Sequence, residues 1–494
     1  MYKPSLDDLK QYVGKYDIVP VCKEIFSDVR TPIAVLRALK TVSSHTYLLE
    51  SAENNEQWGR YSFLGFNPSL EISCKNHRMT IKGAATVSFE TDDPNAEIRK
   101  ILSEYKSPKF DFLPTFTGGL VGYFAYEYIR YSEPRLDFAD DEDDSSVNDV
   151  DLMLFDKVIA FDHYKKKIVL IVNIRTDDLE HNYNKAQREL DELADLVAHG
   201  KPCKIEKGEL LSDFKAEFTA QEYCDVVRKT QHYIKEGDIF QAVPSNRREA
   251  DFKGSLLNAY RVLRTLNPSP YMFYLSSRHM ELTGASPETL VKLQGDKLMT
   301  FPIAGTEPRG KTPEEDIALE KKLLHDEKEL AEHNMLVDLG RNDLGRISEF
   351  GSVKVEALHV IERFSHVMHI CSTVTGKIKP EYDALDAISA TLPAGTLSGA
   401  PKIRAIEILH ELERSPRGIY GGAVGYLDFS GNMDVCIGIR MAVAKNGKVF
   451  VRTGGGVVKD SVPEHENQEC INKAKSMIVA ITKAQGVNDY DIAD

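Results

Sequence analysis

Glu329 and Glu332 stand three residues apart in "KELAEHNMLVDLGRNDLGRIS", residues 328–348, a stretch with helical character. At about 100° per residue they fall, with His333, in the same arc as Leu330, Leu336, Val337 and Leu339. Carboxylates usually occupy the opposite, watered face of such a helix. A second helix, in "SVPEHENQECINKAKSMIVAI", repeats the device with Glu466 and Glu469, which share a face with Lys473. Two helices that each offer an i,i+3 carboxylate pair can converge on a hard cation. Oxygen ligands suit Mg²⁺, which keeps several waters and takes one or two protein carboxylates. Any single glutamate here has a surface position as its commoner fate, but the leucines around Glu329 and Glu332 argue against it, because an unpaired buried carboxylate is costly.

Other residues suit a small anionic ligand. "VRTGGGVVKD" places Gly454, Gly455 and Gly456 after a strand, where bare backbone N–H groups can approach an anion. "LPAGTLSGAPKIRAIEIL" puts a Gly/Ser loop with Thr396 before an amphipathic helix, and "FPIAGTEPRG" gives a second loop with Gly305 and Thr306. Arg440 lies in the strand-like apolar run "IGIRMAV", where a bidentate carboxylate is its natural partner. Tyr420 stands at the glycine-rich turn of "RGIYGGAVGY" and reads, alone, as a packing residue. Together these residues describe a pocket for a small dicarboxylate with a divalent metal. The chain has no strand-GxGxxG-helix and no GxSxG elbow.

The totals agree. The net charge of -14 over 494 residues argues against general nucleic-acid binding, which needs clustered Lys and Arg. Seven scattered cysteines without a CxxC pair fit a reducing, cytoplasmic setting. Without an apolar run of about 18 residues or an apolar N-terminal segment, neither a membrane span nor a signal peptide is expected.

Strand-like segments "YLLESAE" and "YSFLGFNPSLEISC" open an N-terminal lobe. The acidic run "ADDEDDSSVNDV", 139–150, reads as a solvated loop, and residues 179–199 as a helix. Thr219 is a predicted N-cap for a helix ending at Gly237. Long helices are predicted over 313–339, breaking at Gly340, over 400–413, and over 463–485 with Ser461 as cap and Pro463 in the first turn. Lobes 1–200 and 215–488 are expected. Helices and strands do not alternate in a βαβ rhythm, which favours an α+β fold. "GGLVGY" at 118–123 recurs as "GGAVGY" at 421–426, through either two homologous lobes or a shared glycine turn.

The stretches "PIAGTEPRG", "ELAEHNMLVDLGRND", "LPAGTLSGAPKIRAIEIL", "GIYGGAVGY" and "RTGGGVVKDSVPEHENQE" together resemble the chorismate-utilising enzymes, over about residues 30 to 485. The resemblance implies large antiparallel sheets flanked by helices, and Mg²⁺-dependent conversion of chorismate and ammonia to anthranilate and pyruvate. It also implies residue roles. Glu332 and Glu469 match metal ligands, with Glu329 and Glu466 beside or behind them. Gly305, Thr306, Tyr420, Arg440 and the glycines 454–456 match chorismate contacts, and His369 and Thr396 match further active-site positions. Glu288, in "GASPET", matches a general acid for the departing ring hydroxyl.

Two positions separate the branches of the family. Water-using members resemble one another in carrying an activating lysine, where this chain has Gln241. The aminodeoxychorismate branch reads "PIKGT", where this chain has Ala304. Both favour the anthranilate branch over that runner-up. "LLES", 48–51, and "NPSPYMFY", 267–274, match a tryptophan feedback site that Ser51, Pro270, Tyr271 and Met272 would line; a non-catalytic tryptophan sensor on the same fold is the reading from another class. Because no amidotransferase segment is recognisable, ammonia from glutamine is expected from a separate subunit.

Overall fold

The computed structural model describes residues 2–51, 59–136, 138, 146–363 and 367–487. Residues 139–145 of the acidic run and the lobe bound at 488 lie outside the described residues. Among the described residues the strands form two large antiparallel sheets, of thirteen and twelve strands, and one two-stranded pair. The sheets stack with a core between them that includes Tyr47, Phe63, Phe116, Tyr123, Phe273, Val424 and Tyr426. Helices Pro32–Leu39, Leu179–His199, Leu257–Leu266 and Pro463–Ala484 cover the outer face of the larger sheet. Helices Pro94–Ser103, Ala384–Thr391 and Glu327–Gly345 lie against the other sheet. The expected α+β class is the observed one. No helix among the described residues is long and apolar enough to cross a membrane, and all seven cysteines are free.

Strand order explains the sequence repeat. In the larger sheet Thr46–Glu50 pairs with Tyr271–Ser276, and strands then follow outward in mirrored chain order on either side. In the smaller sheet Gly119–Phe124 pairs with Ala423–Asp428, again with mirrored neighbours. The two copies of the glycine motif therefore lie side by side, with Gly122 opposite Gly425. A Cβ on either would collide with a neighbouring-strand carbonyl, that of Asp151 or of Asp434. The halves are alike in topology and share both sheets.

Several local expectations need correction. The predicted helix over 313–339 is two helices, Pro313–Leu323 and Glu327–Gly345. Asp326 caps the second by accepting from the N–H groups of Lys328 and Glu329. That helix does not break at Gly340. Thr300 and Pro302 crowd Gly340, where a Cβ would stand 3.1 Å from Thr300 Cγ2, so this glycine permits close packing on the sheet. Ser461 is not a cap: its hydroxyl accepts from Val458 N at 3.1 Å, and Val462 precedes the helix without a side-chain cap. Pro463 does open that helix. Thr219 caps Ala220–Glu236 in a capping box with Glu222, and Gly237 ends it in the left-handed region.

Candidate active site

The apolar arc of Glu327–Gly345 packs on the strands Ile303–Pro308 and Val367–Lys377, burying Leu336 and Val337 and placing Leu330 against Leu323, Met368 and Ile370. Glu329 and Glu332 emerge half-buried at the margin of that contact. Across from them stands Pro463–Ala484, whose Glu466 is half-buried and whose Glu469 is exposed. Burial raises the Glu329, Glu332 and Glu466 carboxyls above their ordinary range, and their mutual repulsion adds to it: Glu332 acts on Glu329, Glu469 on Glu332 and Glu466. One Glu466 oxygen, Oε2, is buried without a hydrogen-bond partner. Among the described residues no three acidic, histidine or cysteine side chains form a ready-made coordination shell. Two carboxylates supplemented by water and substrate oxygens fit Mg²⁺ chemistry, so the donor set suits that ion.

Lys473 tightens the second helix pair. Its Nζ binds Glu469 Oε1 at 2.6 Å and the Gly454 carbonyl at 3.2 Å, tying helix to glycine triplet. The triplet follows Lys448–Gly454 and passes between side chains. A Cβ on Gly455 would stand 2.8 Å from Glu466 Oε2, one on Gly456 2.6 Å from Gln241 Nε2, and one on Gly454 3.1 Å from the Tyr420 hydroxyl. Gln241 and Tyr420 are both buried. The Tyr420 hydroxyl borders the glycine backbone.

The loop with Gly305 is a bulge. Pairing with Val367–Lys377 shifts register between Ala304 and Thr306, and Gly305 has φ +65. His369 Nδ1 donates to the Gly305 carbonyl at 2.9 Å and stands 3.1 Å from Thr306 Oγ1. Burial lowers the imidazole pKa, which keeps the ring neutral and leaves Nε2 as acceptor.

Glu288 and Arg440 occupy the two links where the second half passes between sheets. Glu288 lies between Met280–Ser286 and Thr289–Gln294, and Arg440 between Met433–Ile437 and Met441–Lys445. Arg440 is therefore not in a strand as its apolar neighbours predicted. It takes φ +50 in the turn, and among the described residues its guanidinium has no carboxylate partner. Burial lowers its pKa against the attraction of Tyr420 and Glu469. Burial pushes the Glu288 carboxyl up to about 7, opposed by the nearby Thr396 hydroxyl and Lys473. Thr396 Oγ1 is itself buried without a well-formed hydrogen bond.

The inhibitor elements are brought together less completely. "LLES" and "NPSPYMFY" form directly paired strands, with Glu50 opposite Met272. Tyr271 faces the core between the sheets, as do Tyr47 and Leu49. By strand alternation Ser51 belongs to that face, and Pro270 is buried at the strand's entry. Met272 points the other way, into the core under the helices, so its side chain cannot share a slot with Ser51 and Tyr271. The sequence reading also missed Lys328, which faces Glu332 one turn on; their i,i+4 spacing was the available signal. No sequence signal marked the hydrogen bonds of Tyr271 to Thr289 and Asp434.

Fold and site together define a chain of large stacked antiparallel sheets that brings helix-borne carboxylates near a glycine triplet and a buried acid and arginine. The model of the chorismate binding enzymes matches residues 45–479, and the chain belongs to that family. It is 43% identical to anthranilate synthase component 1 of Acetivibrio thermocellus, over 98% of this chain and 99% of the relative. With the protein of the same name from Aquifex aeolicus it shares 44% identity over 97% and 98%. The structure superposes on anthranilate synthase component I of Streptococcus pneumoniae with a TM-score of 0.74 and 36% identity, covering 92% and 98% of the two chains. The menaquinone-specific isochorismate synthase of Escherichia coli, 17% identical with a TM-score of 0.68, shares the fold.

Proposed function

We propose that this chain converts chorismate and ammonia to anthranilate and pyruvate, the entry step to tryptophan. The observation that supports this reading is a linked cluster in which Arg440 and Glu332 each interact with Glu469, Gly455 abuts Glu466, and Glu288 interacts with Lys473. Glu332 and Glu469 would hold Mg²⁺, with Glu329 and Glu466 behind them. When bound, the metal neutralises a substrate carboxylate and fixes the ring. Arg440 is a fork for the second carboxylate, Tyr420, Gly305, Thr306 and the N–H groups of Gly454, Gly455 and Gly456 line the remaining contacts, and His369 and Thr396 complete the walls.

Glu288, half protonated near pH 7, gives its proton to the ring hydroxyl, which leaves as water. Ammonia adds at ring C2 as its neutral form, already a nucleophile. Gln241 cannot take a proton from water as a lysine base would, which leaves the site to ammonia. Loss of the enolpyruvyl group as pyruvate then makes the ring aromatic. A separate glutamine amidotransferase subunit supplies the ammonia, and the reaction is cytoplasmic. Residues 1–200 form a regulatory lobe whose Ser51 takes tryptophan together with Pro270 and Tyr271 of the catalytic lobe, residues 215–488, with Met272 contributing backbone only.

The test is the purified chain with chorismate, Mg²⁺ and an ammonium salt at mildly alkaline pH, with products identified by fluorescence and mass. Anthranilate with equimolar pyruvate is expected. An aminodeoxychorismate product, or no turnover with intact fold, overturns the assignment. For the regulatory lobe, Ser51→Phe is expected to relieve tryptophan inhibition without changing turnover in its absence.

A further inference from the structure

The Tyr271 hydroxyl donates to Asp434 Oδ1 at 2.8 Å and lies 2.8 Å from Thr289 Oγ1. A phenol has one proton. With that proton committed to the carboxylate, the Tyr271 oxygen accepts the hydroxyl proton of Thr289. Burial holds the Tyr271 pKa far above its ordinary value, so this donor pattern persists across the working pH range. Asp434 is held in turn by Lys292 Nζ at 2.9 Å.

Thr289 is buried at 4% exposure and directly follows Glu288. Its strand pairs Thr289 with Cys436 and shifts register only beyond it, before Val291, and the side-chain bond to Tyr271 is a second hold on Thr289. From Glu288 the constraint passes on: Ile437 N donates to the Glu288 carbonyl at 3.0 Å, Ser286 Oγ donates to the Ile437 carbonyl at 2.7 Å, and Ala285 N donates to the Arg440 carbonyl at 3.0 Å. Tyr271, which faces the inhibitor slot, is thus one hydrogen bond and one peptide from Glu288. The clasp of the two links carries any displacement to Arg440.

We propose that Thr289 is the positioning residue that couples the two sites. Its bond to Tyr271 holds the Glu288 and Arg440 links in their working posture, and an indole amino acid seated beside Ser51 and Tyr271 draws Tyr271 away and releases them. The inference rests on the inhibitor-site reading above. It adds a side-chain route to Glu288 beside the backbone one, in which Tyr271 pairs with Ser286.

The experiment measures tryptophan affinity by calorimetry on the full chain with Mg²⁺, with and without chorismate, omitting ammonia so that chorismate is not aminated. The ratio of the two dissociation constants is the coupling factor, and couplings of this kind span roughly 5- to 150-fold. Thr289→Val is expected to bind tryptophan alone within about threefold of wild type while its coupling falls to within about twofold of unity. Thr289→Ser, which keeps the hydroxyl, is expected to retain the wild-type factor. A merely structural role would change affinity or melting temperature and leave the ratio intact. Wild-type coupling in a folded Thr289→Val overturns the proposal. If that variant does not fold, Asp434→Asn decides: a lowered coupling supports the relay and an unchanged one overturns it. Wild type that binds no tryptophan overturns the inhibitor-site reading itself, and the relay with it; wild type that binds but shows a ratio of one overturns the relay alone.

Discussion

Glu288 and Arg440 sit on two links between the sheets that hydrogen bond to each other, through Ile437 N to the Glu288 carbonyl and Ala285 N to the Arg440 carbonyl, both at 3.0 Å. An acid and a cation far apart in the chain are thereby fixed on one rigid clasp. The first half has an equivalent link, where "GFNPS" at 65–69 stands in the place of "GASPE" at 284–288. It puts Ser69 where the second half puts Glu288, so only one half of the mirrored fold carries this acid.

Replacing the acid tests its role. Glu288→Gln is expected to lower turnover by about 10²- to 10⁴-fold, the usual worth of a positioned proton donor, with little change in chorismate affinity. The sign for stability follows from the raised pKa. The folded protein holds this proton more tightly than the unfolded chain, so the ionised carboxyl costs stability as pH rises from the ordinary carboxyl range through about 7. The variant should therefore melt higher than wild type above about pH 7 and lose that advantage in acid, which thermal scans at several pH values measure.

Metal binding should be visible without turnover. Mg²⁺ at a hundred times its dissociation constant is expected to stabilise the fold by about 2.7 kcal/mol, and EDTA to remove that gain. Glu332→Gln should abolish most of the increment. Because burial and repulsion raise the Glu329, Glu332 and Glu466 pKa values, and the metal needs the charged forms, Mg²⁺ affinity should strengthen as pH rises.

Arg440→Lys is expected to raise the chorismate KM by about 10- to 100-fold, since a point charge replaces a planar fork at a cost of about 1.5–3 kcal/mol. Titration of substrate at saturating ammonium is the check. An unchanged KM would mean the guanidinium does not meet a carboxylate.

Gly455→Ala places a Cβ 2.8 Å from Glu466 Oε2 and should displace that carboxylate. The expected signature is a weaker Mg²⁺ dependence curve with an unchanged melting temperature in EDTA. Gly425→Ala is its structural counterpart. There the Cβ meets backbone that cannot yield, at φ +159, and the protein should lose several kcal/mol, on the order of the largest single-residue effects, in denaturant unfolding.

Much of the site was legible because its residues declare themselves by type and spacing. Carboxylates three apart on an apolar helix arc, three glycines after a strand and Pro463 in a first turn are local facts, fixed by helical period and backbone freedom. Helix boundaries that depended on packing were not legible: Gly340 looked like a stop, but the sheet surface at Thr300 carries the helix past it. Arg440 looked like a strand residue because it sits in an apolar run, and only the change of sheet between Met433–Ile437 and Met441–Lys445 puts it in a left-handed turn. Met272 was expected beside Tyr271, but alternation in a paired strand sends its side chain to the opposite face. The sequence by itself determined which groups could bind a metal, an anion and a proton. Tertiary structure decided which of them come near one another, because the repulsion between Glu332 and Glu469, the approach of Gln241 to Gly456 and the bonds of Tyr271 to Thr289 and Asp434 span long chain separations that no local periodicity encodes.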